Sequence, residues 1–238
     1  MLLRAAGSLA LLCLAACSGE ISSSAGPRPG GPEGSGGPAG PPIVDPLLAS
    51  EGGARRLSQA ELDNTLRDLL GDQSAPAARL LNEDEFRPFD NDYTIQQASD
   101  ALITSLEVLA DEVAERVTSD PARRAALVPC TPASAGDEAC FRSFLESFLP
   151  RAFRRATTEA EVDAFLPLLS FASEDNAVVE NDFYTAVRLA VSAAVQDPEL
   201  LYRIESGTPG SEPGLVELDG FALASRMSYL LWATMPDD

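Results

Sequence analysis

The feature that most constrains the fold is the helical spacing of apolar residues, which recurs from residue 57 to the end of the sequence. Ser58 and Glu61 have the spacing of a capping box, and Gly71 is a natural helix stop. Between them, one apolar face is formed by Leu62, Leu66, Leu69 and Leu70. The pattern therefore predicts a short helix with well-marked ends.

Two longer apolar patterns follow. A helix from about residue 97 to 117, which ends before Pro121, has a face formed by Ala98, Leu102, Leu106, Leu109, Val113 and Val117. The next helix has a face formed by Phe141, Phe144, Leu145, Phe148, Ala152 and Phe153. We expect Pro150 to kink this helix or split it in two, because proline cannot donate a helical hydrogen bond.

Three further helices are marked by their caps. Thr158 and Glu161 form a second capping box, and the face after it is formed by Val162, Phe165, Leu166 and Leu169. Another helix begins near Asp182 and ends before Pro198. Asp219 is placed to cap the last helix, whose apolar positions are Phe221, Leu223, Met227, Leu230 and Leu231.

No sustained alternation of apolar and polar residues predicts a strand, and the short apolar segment 200–205 is left open. We therefore predict an all-α fold made of irregular helical domains. Because the aromatic residues lie on helix faces, we place them in the core rather than on a binding surface.

The N-terminus predicts export and a lipid anchor. Arg4 precedes a short apolar run, and residues 14–17 resemble the bacterial lipobox, in which the cysteine, here Cys17, is lipidated. The alternative is an ordinary secretory signal. The Gly-, Pro- and Ser-rich residues 18–46 favour a disordered linker that spans ~30 Å. We predict an exported protein that is anchored to the cell envelope, in the outer membrane, through acyl chains.

Composition excludes several kinds of partner and site. The formal net charge of −20 argues against nucleic acid and against electrostatic adhesion to anionic lipid. The absence of histidine excludes histidine bases and histidine metal or haem ligands in this sequence. Cys130 and Cys140 predict a disulfide in an exported chain, worth about 2–3 kcal/mol, because two cysteines make only half a zinc site. No cofactor is predicted.

Three stretches together resemble a known group of bacterial proteins. The first is residues 56–71, with Phe89, Asp90 and Asn91 downstream. The second is residues 151–155 and 158–162, preceded by Cys130 and Cys140. The third is residues 197–205, 218–232 and 235–238. In order and spacing they resemble exported proteins of planctomycetes and myxobacteria built of tandem domains of unknown function, the PSD-type, cytochrome c-associated families numbered 1587, 1595 and 1592.

The resemblance implies an organisation and a partner. Such proteins usually continue past the equivalent of residue 238, which implies that this sequence is an N-terminal fragment. We expect a signal peptide (1–16), a lipidated cysteine with a linker (17–54), a helical domain (55–125), a disulfide-bearing helical domain (126–175) and the start of a truncated one (176–238). A c-type cytochrome is the implied envelope partner. Haem in such partners is bound through Cys-x-x-Cys-His, which this sequence lacks, and the families offer no catalytic residues to transfer.

Few side chains are candidates for a ligand site. Asp84, Asp90 and Asp92, with Glu83 and Glu85, are weak calcium candidates; we favour a solvated acidic loop, because the spacing is not that of an EF-hand. Among the many carboxylates, no feature selects a catalytic pair.

Cations and aromatic rings near the later helices allow two interpretations each. Arg151, Arg154 and Arg155 are either helix-end cations, which we favour, or an anion clamp. The pairs Tyr202–Arg203 and Tyr229–Trp232 would stack on a sugar ring if exposed, but they also have ordinary core spacing.

Three functions therefore stay open. The leading hypothesis is a non-catalytic lipoprotein module of an envelope assembly associated with a c-type cytochrome. The second is a carbohydrate-binding or carbohydrate-active surface protein. The third is part of a hydrolase whose active site lies beyond residue 238.

Overall fold

The structure, a computed structural model, describes residues 54–81, 98–210 and 215–237. Its elements in chain order are β1 (Arg55–Arg56), α1 (Gln59–Leu70), α2 (Pro76–Leu80), α3 (Asp100–Ser119), α4 (Pro121–Leu127), α5 (Glu138–Phe153), α6 (Glu159–Ser173), α7 (Phe183–Gln196), α8 (Pro198–Leu201), β2 (Tyr202–Arg203), β3 (Gly207–Pro209), β4 (Val216–Leu218) and α9 (Gly220–Trp232). Helices dominate these residues, and the predicted all-α class is confirmed.

Side-chain caps determine where the helices begin. The Ser58 hydroxyl accepts from the Glu61 amide at 3.3 Å, and the Glu61 carboxylate accepts from the Ser58 amide at 2.8 Å. Thr158 and Glu161 repeat this capping box at α6. Aspartates cap five more helices in the described part of the chain, namely Asp120, Asp137, Asp182, Asp197 and Asp219. Each aspartate satisfies free amides and also complements the helix dipole.

The core lies where α7 packs against α3 and α6, with α5 packed on α6. Leu109, Val113 and Val117 of α3 are fully buried, as the sequence predicts, and α7 is buried along most of its length. Each such side chain contributes about 1.5–3 kcal/mol by leaving water. One continuous core contains residues from before 125, from between 125 and 175, and from after 175. The helical segments on either side of each predicted domain boundary therefore share this core.

An aromatic cluster and a disulfide secure α5 to this core. The Phe141 and Phe183 rings meet edge to face at 6.1 Å, and the Phe144 and Phe148 rings stack at 5.3 Å. The predicted Cys130–Cys140 disulfide is present, with the two Cα atoms 5.8 Å apart. It ties the segment before α5 to the first turn of that helix.

Pro150 does not split α5, which continues to Phe153. The proline lies in the last turn, so only the hydrogen bond to the carbonyl of Glu146 is lost, and Glu146 is exposed. Its own carbonyl accepts from the Arg155 amide at 3.2 Å, while the Arg151 carbonyl accepts from the Arg154 amide at 3.3 Å. This pair of hydrogen bonds is a Schellman motif, which closes the helix.

Short elements that the apolar pattern does not predict join the helices. Strand β1 pairs antiparallel with β2, with Arg55 opposite Arg203, and β3 pairs with β4. Segment 200–205, left open by the sequence, contains the end of α8, then β2, then two residues outside both elements. The Leu57 amide donates to the Leu201 carbonyl at 2.9 Å, which holds the start of α1 against the end of α8. Among the described helices, none has the length and apolar character needed to span a bilayer.

Candidate functional site

Helix α9 is held to the rest of the molecule mainly by polar contacts. Its N-terminus is capped by Asp219, which accepts from the Ala222 amide at 2.7 Å. At its other end, the Asn64 side chain donates to the Ala233 carbonyl at 3.0 Å. On the helix surface, Arg226 makes a two-bond pair with Glu205, at 2.9 Å for each nitrogen.

Tyr229 is the centre of the inner face of α9. It is 4% exposed, and its hydroxyl lies 2.8 Å from the Thr65 hydroxyl of α1. The Arg203 and Arg154 guanidinium groups lie 5.3 and 5.7 Å from the centre of its ring, within cation–π range. Burial raises the pKa of the Tyr229 hydroxyl, against the opposing charge of Arg154. Because Tyr229 is buried, it takes the core position that we expected for the aromatic residues, and its ring is not available to stack on a sugar.

Arg154 connects this tyrosine to the end of α8. It occupies the left-handed region, with φ at 56°, at the Schellman position that glycine usually takes. Its guanidinium is buried and donates to the backbone carbonyls of Glu199 at 2.6 Å, Leu200 at 3.0 Å and Tyr202 at 2.9 Å. These carbonyls replace water for the buried charge.

Arg155 is part of an ion-pair network rather than an open clamp. It donates to the Glu161 carboxylate at 2.7 Å and to the Glu199 carboxylate at 3.1 Å. The hydrogen bonds from Arg155 and the Thr158 amide lower the pKa of Glu161 from 4.5 to about 2. Arg151 is exposed and donates only a long contact, 3.4 Å, to the Asp68 carbonyl. For Arg154 and Arg155 the geometry supports the structural interpretation.

The large apolar side chains of α9 lie on its outer face and are exposed to solvent. The exposed fraction is 79% for Leu230, 68% for Trp232 and 59% for Leu231, and Phe221, Leu223 and Met227 are about half exposed. The expectation that the aromatic residues lie in the core is therefore wrong for Phe221 and Trp232, and also for Phe171 of α6, which is 41% exposed. In the described part of α9, the buried residues are the smaller Ala222 and Ser228 together with Tyr229. We call the six exposed side chains the α9 face.

A groove of about 810 Å³ lies at the start of α9, and Phe221 is the one residue of the α9 face that lines it. Its floor and walls are largely apolar and include Pro150 of α5, Phe221 and Ala224 of α9, and Met235 and Pro236 beyond it. Two carboxylates, Asp219 and Asp237, and two cations, Arg151 and Arg154, also line it. An adjoining pocket of about 300 Å³ shares Arg151, Met235 and Pro236 and contains Trp232. Large apolar side chains next to a groove are typical of a surface that binds another molecule.

A smaller cavity of about 170 Å³ next to α9 is lined by Arg154, Arg155, Arg203 and Arg226. All four guanidinium groups have protein partners: Arg154 with backbone carbonyls, Arg155 and Arg226 with carboxylates, and Arg203 with Glu61 at 3.9 Å. Three of these cations are therefore well paired, whereas Arg203 is held at a longer distance and its buried Nε has no hydrogen-bond partner among the described residues. It is a weaker candidate than the groove.

Two sets of predicted site residues lie outside the described residues: Cys17, and the calcium candidates Asp84, Asp90 and Asp92. Among the residues that are described, no group of three or more His, Cys, Asp or Glu could hold a metal ion. Tyr202 is half-buried, so of the four aromatic and cationic residues considered for sugar stacking only Trp232 is widely exposed.

The α9 face is the feature that sequence reasoning missed. A signal was present, because the apolar residues of α9 surround more of the helix than a single stripe needs. Tyr229 lies across the helix from Met227, so one neighbouring layer could not cover both sides.

Comparison with known proteins identifies the domains. A model of the protein family of unknown function PSD3 (DUF1587) matches residues 55–119, and a model of PSD5 (DUF1595), also of unknown function, matches residues 140–205. No curated protein and no solved structure matches the sequence. The match to the third family, numbered 1592, stays a prediction. The two matched ranges cover more than half of the chain, which therefore belongs to the PSD-type proteins of unknown function, with a PSD3 domain followed by a PSD5 domain.

Proposed function

We propose that this chain is a non-catalytic lipoprotein module of a cell-envelope assembly, and that it binds a partner protein of that assembly through the α9 face. The observation that carries the proposal is the exposure of six large apolar side chains on one short helix. Soluble monomers rarely expose so many large apolar side chains close together unless that surface binds another molecule. A c-type cytochrome is the kind of partner that the family resemblance implies.

The lipid anchor supplies the location in this proposal. Acyl chains on Cys17 would hold the chain at a membrane, and residues 18–46 would separate the helical domains from it. Metabolic labelling with an alkyne fatty acid tests this. We expect label on the wild-type protein and none on Cys17→Ser, which should also leave the membrane fraction. Label that persists on Cys17→Ser would contradict the anchor.

The binding role is tested by a photo-crosslinking amino acid placed on the α9 face in the bacterium that encodes the chain. Position 230 lies on the face, and position 178, where Val178 is 78% exposed, is the matched control elsewhere on the surface. We expect position 230 to form an adduct with one exported protein, identified by mass spectrometry, and position 178 to form none with it. Equal adducts from both positions would contradict a specific face. Turnover of a substrate by the purified chain alone would contradict the non-catalytic role.

A carbohydrate-binding function is the second candidate, and the exposure of Trp232 favours it. Aromatic rings supply broad apolar contact area in binding sites. The burial of Tyr229 removes the second ring of the predicted pair, which leaves a single-ring platform. Titration with a panel of polysaccharides, followed by the fluorescence of Trp232, separates the two functions: saturable quenching would favour carbohydrate, and its absence would favour the protein partner.

A further inference from the structure

We infer that the cavity of about 170 Å³ beside α9 binds one small organic carboxylate, whose charged end is held by Arg203. This inference is independent of the proposed function, because it concerns a ligand inside the cavity and not a partner on the α9 face. The cavity is too small to dock a protein, which is why the groove is the better candidate for that role. Three observations carry the inference: an unsatisfied donor on Arg203, an excess of positive charge in the lining, and apolar walls.

Arg203 is the arginine of this cavity whose hydrogen bonding is incomplete. Its Nε atom is buried and has no hydrogen-bond partner among the described residues, and its guanidinium lies 3.9 Å from the Glu61 carboxylate. A buried donor without a partner is destabilising, because it has lost its bond to water. A carboxylate that accepts from two nitrogens of a guanidinium at once is the preferred partner of arginine. Because the contact with Glu61 is long, Arg203 is free to turn its Nε edge toward the cavity and to complete such a pair.

The lining of the cavity has more cations than carboxylates. It contains four arginines and two glutamates, namely Arg154, Arg155, Arg203, Arg226, Glu199 and Glu205. Arg155 pairs with Glu199 at 3.1 Å, and Arg226 pairs with Glu205 at 2.9 Å. Arg154 and Arg203 therefore remain without a carboxylate from the lining. Four of the 17 lysine and arginine residues of the sequence thus lie around one small cavity, in a chain whose formal net charge is −20.

Two further carboxylates lie near these arginines without lining the cavity: Glu61 beside Arg203, and Glu161 beside Arg155. Each is the acidic residue of a capping box, so its charge is also offset by the amides at the N-terminus of α1 or α6. Arg154 donates to backbone carbonyls, which solvate its charge but do not neutralise it. Since these donors are occupied, Arg154 supplies charge to a ligand rather than hydrogen bonds. The cavity therefore keeps a positive excess that a single anionic group would balance.

The size and the walls of the cavity select the rest of the ligand. A volume of about 170 Å³ has room for about six non-hydrogen atoms, if each takes up ~30 Å³, the share of one molecule in liquid water. The walls include Phe153, Ile204 and Phe221, so the uncharged part of the ligand is apolar. An inorganic phosphate would leave these walls without contacts, and a nucleotide is too large. A carboxylate on a short hydrocarbon chain matches both the arginines and the apolar walls.

The test uses the mature chain with Cys17→Ser, which removes the acyl group and changes none of the described residues. The probes are butyrate and butyramide, which have nearly the same shape and differ in charge. Saturation-transfer NMR of each probe measures its Kd at constant ionic strength, so that general effects of salt on the chain cancel. We expect butyrate to bind with a Kd of about 1 mM and butyramide to bind at least about tenfold more weakly, because the amide forms no charged pair with Arg203.

Three variants locate the site. Arg203→Met removes the guanidinium at similar side-chain length and should weaken the binding of butyrate at least about tenfold. Ser225→Glu places a competing carboxylate among the lining residues and should weaken butyrate by a similar factor. Because Ser225 is partly exposed on α9, this variant keeps the test valid if Arg203→Met does not fold. Arg151→Met is the matched control: it removes an exposed arginine that lines the groove but not the cavity, and it should change the Kd less than about twofold.

Other results would overturn the inference. If butyrate shows no saturable binding, the cavity is not a carboxylate site. If butyrate and butyramide have the same Kd, or if both cavity variants bind butyrate as well as wild type does, the arginines of the cavity do not select the ligand. If inorganic phosphate displaces butyrate at an equal concentration, the cavity is a phosphate site and the assignment to an organic carboxylate is wrong.

Discussion

Helices α7 and α9 are similar in their caps and in their apolar content, but their environments are opposite. Each is capped by an aspartate, Asp182 or Asp219, has a phenylalanine in its first turn and is rich in apolar residues. Helix α7 buries most of its side chains between α3 and α6, whereas α9 buries Tyr229 and small residues and exposes its large ones. The difference shows that apolar content predicts that a helix forms, but not that its neighbours cover it.

The two helices also differ in what holds them. Helix α7 is stabilised by apolar burial, which is large and has no preferred direction. Helix α9 is held by directed contacts at a few points, chiefly the Tyr229 hydroxyl, the Arg154 guanidinium and the Asn64 side chain. Such contacts fix the orientation of a helix while contributing only about 0.5–1.5 kcal/mol each for neutral groups.

The largest expected effect is a difference in stability when the same substitution, phenylalanine to alanine, is made in each of the two helices. Phe183→Ala in α7 should reduce the free energy of unfolding by about 3–5 kcal/mol, because it leaves a cavity in a close-packed core. Phe221→Ala in α9, where the ring is 54% exposed, should cost at most ~1 kcal/mol. Urea unfolding followed by circular dichroism measures both. Similar costs would show that the α9 face is packed in solution.

The next effect concerns Arg154, which connects α9 to α8. Arg154→Ala should reduce the free energy of unfolding by about 3 kcal/mol, because one buried and two partly buried carbonyls lose a charged donor. Arg154→Gly should cost about 1 kcal/mol less than Arg154→Ala, because glycine adopts positive φ without strain. The exposed Arg151→Ala is the control, expected within about 0.5 kcal/mol of wild type. If Arg154→Ala and Arg154→Gly reduced the free energy of unfolding equally, the backbone at position 154 would not be strained.

A smaller effect depends on pH. The pKa of Glu161 is lowered from 4.5 to about 2, so its contribution is fully present above pH 4.5 and is lost as the pH falls toward 2. Wild type should therefore lose about 1–2 kcal/mol more than Glu161→Gln over this range, a value reduced for solvent screening. Chemical unfolding at several pH values measures this, with Glu159→Gln at the same helix end as the control. If the free energy of unfolding depended on pH in the same way for wild type and Glu161→Gln, the Glu161 carboxylate would not contribute to stability.

The smallest expected effect is the most informative about function. Leu230→Ser should change the free energy of unfolding by less than about 0.5 kcal/mol, because its side chain is 79% exposed. Val187→Ser, at a fully buried position of α7, should unfold the chain or cost several times more. Thermal unfolding compares the two. A large loss for Leu230→Ser would place another part of the molecule over the α9 face.

The sequence by itself determined where four of the helices begin in this protein. Ser58, Thr158, Asp182 and Asp219 each cap the predicted helix, because a side-chain oxygen needs only the amides of the next turn to act. The disulfide between Cys130 and Cys140 was predictable for a similar reason, since the two cysteines are the only pair in the helical part of the chain.

Only the tertiary structure decided which apolar faces are covered and what the arginines bind. Arg154 and Arg155 are neighbours in sequence, yet Arg154 is buried on backbone carbonyls and Arg155 pairs with two carboxylates, because the left-handed turn at the end of α5 sends them in different directions. The exposure of the α9 face likewise depends on contacts among α1, α5 and α8, which lie far apart in sequence. Short sequence motifs predict local hydrogen bonds, because both partners lie within one helical turn. Burial depends on residues that are far apart in the sequence, so a short motif does not predict it.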